Sequence, residues 1–416
     1  MSGPGAAGWT GGQYSAFRFL LGAYLALHFA WLVPWGAELF SSRGLLPDAA
    51  ASPLARLFPN VLVLADAPAV VTALLVAGIA AAVALAVGWR DRIAALVAWY
   101  VLACLFGRNP LIANPALPFV GWMLLAHALL PPAPYGSLAA RGRIDPAGGW
   151  RMPRPIFAAA WIVMAVGYSY SGFTKLVSPS WLDGSALERV LENPLARPGA
   201  VRELLLALPP ALLRLATWGA LALELLFAPL ALARRARPWI WLAMVGMHAG
   251  LLLTIDFADL SLGMLLLHAF TFDPGWIRPA AAADRDTVFY DGHCGLCHGL
   301  VRFLVAEDRA ERLVFAPLQG DHFSTTVPAG DRAGLPDSIV VGTPGGTLLV
   351  RSAAVLHLLR RLGGGYRALA VAGRLVPVRL ADLGYDAVAS VRRRLSRAPG
   401  ATCPLLPPAL RARFRA

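Results

Sequence analysis

The feature that most constrains the fold is a series of apolar segments that recur through the first two thirds of the chain. Crossing a bilayer takes about 20 residues of apolar helix. The composition agrees, because 57% of the residues are apolar and 15% are charged, whereas a soluble domain is about half apolar and a quarter charged. We therefore predict about eight transmembrane helices, at residues 14–35, 68–89, 93–108, 116–130, 155–177, 211–233, 238–255 and 260–272.

The positions of the arginines indicate what the protein binds and how it is oriented in the membrane. A net charge of +13 raises nucleic acid as a partner, but the arginines flank apolar segments, as the positive-inside rule expects. We therefore predict a lipid bilayer as partner and no nucleic acid. A cytoplasmic N-terminus then gives a multi-pass protein of the inner cell membrane with a cytoplasmic C-terminal domain. Residues 176–210 are predicted as an amphipathic interfacial helix, and the glycine-rich residues 1–13 as disordered.

The apolar pattern ends at a linker, residues 273–286, and a soluble α/β pattern follows over residues 287–416. Strands are predicted at 287–291, 313–317, 338–341 and 347–350, and helices at 295–306 and 352–362. The predicted fold is thus a polytopic α-helical membrane domain, residues 14–272, followed by a thioredoxin-like α/β domain.

A Cys-x-x-Cys pair opens the first helix of this second domain. The preceding strand ends at Asp291, and Cys294 is the first residue at the helix N-terminus. Unpaired backbone N–H groups and the helix dipole stabilise a thiolate at that position. Cys297 lies one turn later, close enough to resolve a mixed disulfide. We predict that Cys294 attacks, that Cys297 resolves, and that a protein thiol is a partner.

A structural zinc site is the alternative for these cysteines. A closed zinc site needs four ligands, and the chain has no second Cys-x-x-Cys. His293, His298, His322 or Cys403 would have to complete the set. Redox chemistry is the favoured interpretation, and no metal is expected.

At these residues the chain resembles the DCC thiol–disulfide oxidoreductase family over roughly residues 286–416. The resemblance is carried, in order, by YDGHCGLC, VRFLVAEDR, FAPLQ, DSIVV and RSAAVLHLLRRLGG. It implies that the family's activity resides on Asp291, Cys294 and Cys297. Cys403 matches a further family position.

Lys175 is the second candidate site, because the other 36 of the 37 basic residues are arginine and this lysine lies within an apolar segment. Arginine stays protonated in proteins, whereas a desolvated lysine can lose its proton. On a helix, Ser171 and Tyr168 precede Lys175 by four and seven residues, so the three share one face. An ionisable group within a span is a functional hypothesis; the alternative is a lysine that snorkels to the interface.

Other polar residues of the apolar segments carry weaker predictions. Glu224 lies within an apolar segment, where its carboxylate needs a partner or a proton. Either a functional role or helix packing explains a carboxylate there. His28, His127 and His268 are interpreted as core histidines, and Asp256 and Asp259 as turn caps.

The membrane part resembles the vitamin K-dependent γ-carboxylase-like domain, also called the horizontally transferred transmembrane (HTTM) domain, over residues 14–272. The pattern Y-x-x-x-G-x-x-K-L followed by W-x-x-G occurs at Tyr168, Gly172, Lys175, Leu176, Trp181 and Gly184. The resemblance implies that Lys175 deprotonates a hydroquinone, and places His248 near a family histidine. A quinone or hydroquinone is thus the expected cofactor.

Together these features predict a membrane-bound oxidoreductase in which the dithiol is coupled to a quinone-like cofactor deprotonated by Lys175. Two alternatives stay open. One is a carboxylase-like modifying enzyme whose thiols recycle the cofactor, and the other is a membrane anchor that presents a thiol–disulfide exchange domain.

Overall fold

Each of the eight apolar segments contains a helix. The structure is a computed structural model and describes residues 8–55, 57–112, 114–280, 284–395 and 408–415. The α-helices that precede the sheet are α1 (Gly11–Leu32), α2 (Gly36–Phe40), α3 (Val61–Leu64), α4 (Pro68–Val87), α5 (Asp91–Arg108), α6 (Leu117–Leu129), α7 (Arg154–Lys175), α8 (Pro179–Leu182), α9 (Ala186–Glu192), α10 (Ala200–Leu206), α11 (Pro210–Leu225), α12 (Phe227–Leu232), α13 (Arg237–Thr254) and α14 (Ala258–Thr271).

Three of these helices, α1, α4 and α7, are long and apolar enough to cross a membrane, or four if α10 and α11, which meet at a bend of 106°, count as one broken span. This is compatible with a membrane protein, and the total of about eight spans stays a prediction. Helix α1 begins at Gly11, three residues before the expected start, so residues 11–13 are helical and not disordered. Residues 1–7 lie outside the described residues.

The predicted span 211–233 is divided into α11 and α12 at Leu226. Pro229 has no N–H, so it cannot bond to the carbonyl of Leu225 four residues earlier. The hydroxyl of Ser169 on α7 donates to the Leu225 carbonyl at 3.2 Å and accepts the N–H of Ala228 at 3.0 Å. A side chain of the neighbouring helix thus compensates for the break.

The single amphipathic helix predicted within residues 176–210 is wrong, because three short helices, α8, α9 and α10, occupy this segment. Gly184, with a φ of 84°, lies between α8 and α9, and Gly199, with a φ of 142°, precedes α10; such positive φ angles interrupt a helix. Pro194 and Pro198 lie between α9 and α10, where their missing N–H groups prevent a continuous helix.

The C-terminal part is a small mixed sheet with helices. The remaining elements are β1 (Asp286–Tyr290), α15 (Gly295–Glu307), β2 (Leu313–Pro317), α16 (Asp321–Thr326), α17 (Ala329–Ala333), β3 (Val340–Gly342), β4 (Leu348–Val350), α18 (Arg351–Leu362), α19 (Gly364–Gly373), α20 (Val378–Leu395) and α21 (Pro408–Arg411). The strand order is β2-β1-β3-β4. Strand β1 is parallel to β2 and antiparallel to β3, and β3 is antiparallel to β4. The predicted strands and helices of this region are therefore confirmed, with shifts of one or two residues at their ends.

Contacts group the chain into two compact units. The helical unit comprises Phe17–Pro132 and Met152–Phe272, and the sheet unit comprises Met1–Ala16, Ala133–Arg151 and Asp273–Ala416. The predicted linker and the predicted second domain both fall in the sheet unit, which also includes residues 14–16 and 133–151 of the predicted membrane domain and residues 8–13 of the predicted N-terminal segment. Its main core lies between α15, α18 and one face of the sheet and includes Val288, Leu304 and Leu358.

Glu307 at the end of α15 explains why the first residues belong to the sheet unit. Its buried carboxylate accepts the Gly12 N–H at 2.9 Å, the Tyr366 hydroxyl at 2.8 Å and the Thr10 hydroxyl. It therefore satisfies an N–H of the first turn of α1, which has no partner inside its own helix. Burial raises the pKa of Glu307, while these three hydrogen bonds act in the opposite direction.

Candidate active site

The cysteine pair lies at the junction of β1 and α15. Cys294 is the N-cap of α15, and its Sγ accepts the backbone N–H of Cys297 at 3.4 Å. This is the position that an oxygen-bearing side chain usually occupies at a helix start, so a thiolate at Cys294 receives an N–H hydrogen bond and faces the positive end of the helix dipole. The predicted strand, turn and helix around the pair are confirmed.

Gln319 holds the turn between β1 and the cysteines. Its Nε2 donates to the Asp291 carboxylate at 3.0 Å, and its Oε1 accepts the Gly292 N–H at 3.1 Å. Asp291 also accepts the His293 N–H at 3.0 Å. Asp291 thus shapes the loop that precedes Cys294, and Gln319 acts as a positioning residue that the sequence analysis did not single out. The available signal was that parallel strands β1 and β2 end side by side, with Gln319 two residues after β2.

The two sulfur atoms differ in accessibility. Cys294 is buried, with 4% of its surface exposed, whereas Cys297 is half-buried. Cys297 lines an apolar cavity of about 740 Å³ bounded by α15, α18 and α20. No disulfide joins the two residues in the structure. Cys294 occupies the helix N-cap, whereas Cys297 is the more exposed of the two, so the assignment of attacking and resolving roles stays a prediction.

Within the described ranges, no group of three or more His, Cys, Asp or Glu side chains is placed to hold a metal ion. His298, a candidate zinc ligand, instead has its Nε2 2.9 Å from the Gly292 carbonyl oxygen. Cys403 lies outside the described residues, so its contribution to a ligand set stays untested.

Lys175 ends α7 and lies against α11. Its ammonium nitrogen forms an ion pair with Glu224 and donates to Ser171 Oγ at 3.0 Å. It also lies 4.8 Å from the centre of the Trp181 ring, which is close enough for a cation–π interaction. The side chains of Lys175 and Glu224 are 21% and 9% exposed. The structure therefore places the lysine, its predicted face partner and the mid-span carboxylate together.

Gly172 allows this pairing because it brings α7 and α11 into close contact. A Cβ atom at Gly172 would lie 2.7 Å from the backbone nitrogen of Leu225 and 3.0 Å from Cβ of Glu224. A larger residue would separate the helices and move Glu224 away from Lys175.

Tyr168, two turns before Lys175 on α7, contacts two histidines. Its hydroxyl lies 2.7 Å from Nε2 of His248 and 3.5 Å from Nδ1 of His268. All three side chains are buried. His248 Nδ1 and His268 Nε2 are buried without a hydrogen-bond partner among the described residues, and such orphaned polar atoms are uncommon unless a water or ligand meets them.

Another polar cluster of the helical unit escaped the sequence analysis. The Asp259 carboxylate lies 3.1 Å from Nδ1 of His28 and accepts a hydrogen bond from the Asn114 amide. The Tyr24 ring stacks on the His28 imidazole, with 6.0 Å between ring centres. The prediction that Asp259 caps a turn is therefore wrong, because its carboxylate oxygens contact the side chains of His28 and Asn114. These residues are far apart in sequence, and no motif links them.

Comparison with known proteins yields one match. No curated protein matches the chain, and no solved structure matches it. Residues 288–398 match the model of the family described as DCC1-like thiol-disulfide oxidoreductase. This match covers β1, the cysteine pair and most of the elements up to α20, so the C-terminal part of the chain carries a DCC1-like thiol–disulfide oxidoreductase domain.

Proposed function

We propose that the protein is a membrane-bound thiol–disulfide oxidoreductase, with a thioredoxin-like domain whose dithiol exchanges electrons with a lipid-soluble, quinone-like cofactor or with a protein thiol. The observation that carries the proposal is the Cys294–Cys297 pair at the N-terminus of α15, in a segment that matches a thiol–disulfide oxidoreductase family. The apolar helices α1, α4 and α7 support the membrane location.

The dithiol supplies the electrons in this proposal. When Cys294 and Cys297 form a disulfide, one S–S bond forms and the two thiols release two protons and two electrons. An N–H donor at Cys294 favours the thiolate form that starts such exchange. A bound quinone accepts two electrons and two protons.

Buried polar atoms in the helical unit support a quinone as the cofactor. Buried Tyr168, His248 and His268 present two nitrogen atoms that lack partners among the described residues. A quinone carbonyl is a hydrogen-bond acceptor and would satisfy a ring N–H at Nδ1 of His248, which is costly to leave unpaired. Nε2 of His268 would instead accept a hydroquinone hydroxyl, because its Nδ1 donates to the Met264 carbonyl at 2.9 Å. The aromatic rings around Tyr168, including Phe227 at 4.9 Å between ring centres, suit a planar apolar group.

Lys175 is the proposed base of this site. The amine must lose a proton before it can abstract one, and Glu224 is the carboxylate within reach to take it. Ser171 and Trp181 hold the amine in place. Lys175 would thus act as a unit with Glu224, which extends the sequence prediction that treated the lysine alone.

For topology, we propose a multi-pass protein of the inner membrane with the sheet unit in the cytoplasm. The support is the distribution of arginines next to the apolar helices. If Lys175 lies near the opposite face, a diffusing lipid-soluble carrier would connect the two centres.

Lys175→Arg tests the base. Arginine keeps the charge opposite Glu224 but does not lose its proton. In nanodiscs with a quinone, we expect the variant to keep its fold and to lose quinone-linked turnover, while exchange between the dithiol and a small disulfide is unchanged. Arg197→Lys is the matched control, because Arg197 forms an exposed ion pair with Asp256. Full quinone-linked turnover in Lys175→Arg would refute the assignment.

The two alternatives give different results in another experiment, mass spectrometry of lipids that co-purify with the protein. A bound quinone supports the oxidoreductase or the carboxylase-like enzyme, and carbon dioxide incorporation into a partner protein separates these two. Reproducible absence of a quinone, with reactive thiols, supports the membrane anchor.

A further inference from the structure

The helices α19 and α20 and the turn between them form an exposed apolar surface in the sheet unit. We call this the α19–α20 surface; its apolar members are exposed, namely Leu369, Val371, Leu375, Val376, Val378, Leu380, Leu383, Val388 and Val391. Leu375 is 86% and Leu383 is 65% exposed. So large a cluster on one helix pair is unusual for a surface that faces only water.

Helix α20 packs against the rest of the unit with the face that carries Asp382 and Tyr385, and Tyr385 contacts the main core. Asp382 accepts hydrogen bonds from the N–H and hydroxyl of Ser352, and Asp386 pairs with Arg351 at 3.1 Å. By contrast, Leu380, Leu383 and Val391 lie outside that face and are exposed. A helix of a soluble domain usually buries its apolar residues, so the apolar side chains that α20 leaves exposed indicate an apolar partner outside the unit.

The charges of the α19–α20 surface specify that partner. The turn reads Arg374-Leu-Val-Pro-Val-Arg379, so two exposed arginines alternate with exposed apolar residues. The acidic groups of α20 are satisfied within the unit by Ser352 and Arg351, which leaves the outward side basic. Apolar residues interleaved with arginine are the pattern of a helix that lies in the interface of an anionic bilayer.

We infer that the α19–α20 surface inserts into the interfacial layer of an anionic membrane. The same chain carries helices long and apolar enough to span a membrane, which supports a bilayer as the partner of this surface. Val376 and Val388 belong both to this surface and to the lining of the cavity that contains Cys297. Docking of the surface therefore brings the cavity beside the redox cysteine to the apolar phase, where it admits lipid-soluble substrates rather than polar ones.

Photo-crosslinking in the full-length protein tests this inference. A benzophenone amino acid at Leu383 is compared with one at Thr325, an exposed residue of α16 in the same unit. In nanodiscs that contain phosphatidylglycerol, we expect lipid adducts at Leu383 and few at Thr325. The double variant Arg374→Gln/Arg379→Gln lowers the Leu383 lipid adduct by roughly tenfold, since each arginine near an anionic surface contributes to binding.

Two results would overturn the inference. One is equal lipid labelling at Leu383 and Thr325; the other is labelling at Leu383 that yields protein adducts only, which would make the surface an interface between copies or with another protein. Neither result depends on quinone turnover, so the inference can fail while the proposed function stands.

Discussion

The ion pair between Lys175 and Glu224 permits a quantitative prediction. Removing one member of a buried pair costs about 3–5 kcal/mol because the other charge is left without a partner. Lys175 is partly exposed, at 21%, so we expect the lower end, about 3 kcal/mol, for Lys175→Met and for Glu224→Gln. The double variant should also lose only about 3 kcal/mol, which gives a coupling energy of about 3 kcal/mol.

The assay is reversible unfolding in mixed micelles with an increasing fraction of denaturing detergent, followed by circular dichroism. The pair Arg197–Asp256 is the matched control, since its atoms are 3.4 Å apart but its side chains are 45% and 79% exposed. An exposed pair couples by at most about 1 kcal/mol. Additive losses for Lys175 and Glu224, or a coupling no larger than the control, would show that the pair does not form in the folded protein.

Three further predictions concern other parts of the chain. Gly172→Ala should destabilise the protein by about 1–3 kcal/mol through overpacking. Gly250→Ala is the control: a Cβ at Gly250 meets open space, so this change should be neutral or stabilise by up to about 1 kcal/mol. Thermal melting of the two variants compares them. Gln319→Ala removes both bonds to the Asp291–Gly292 turn, so thiol exchange should slow while stability falls by about 1 kcal/mol; equal exchange rates would refute a positioning role. Burial raises the pKa of Glu307 above its ordinary 4.5, so the folded state keeps a proton that the unfolded state releases. The free energy of unfolding should therefore fall as the pH rises from 4.5 through the folded pKa. In Glu307→Gln, thermal melts across that pH range should no longer show this dependence.

Features carried by neighbouring residues could be predicted from sequence. The strand, turn and helix around Cys294 follow from a short apolar strand, a glycine turn and an amphipathic helix, and each lies within a few residues of the predicted place. Likewise, Ser171 and Lys175 share a helix face because their spacing of four residues fixes it.

Features that depend on packing between distant segments could not be predicted. Glu224 was flagged as a carboxylate that needs a partner, but only helix packing at Gly172 identifies Lys175 as that partner. The bond between His28 and Asp259 joins residues 231 positions apart. Pro229 is a sequence signal for the break at Leu226, but the continuous apolar pattern of residues 211–233 favoured a single helix. In residues 176–210, the amphipathic spacing likewise favoured one helix despite the prolines and glycines of that segment.

The central claim is that Cys294 and Cys297 act as one two-electron redox couple. The most direct measurement equilibrates the full-length protein in nanodiscs with mixtures of reduced and oxidised dithiothreitol, denatures it, and counts reactive thiols by mass tagging. The account predicts that two thiols per chain disappear together in one transition with a slope of about 30 mV per tenfold change in the equilibrium ratio, and that Cys294→Ser abolishes this transition. Thiols that stay reactive at every potential, or two thiols held by stoichiometric zinc, would contradict it.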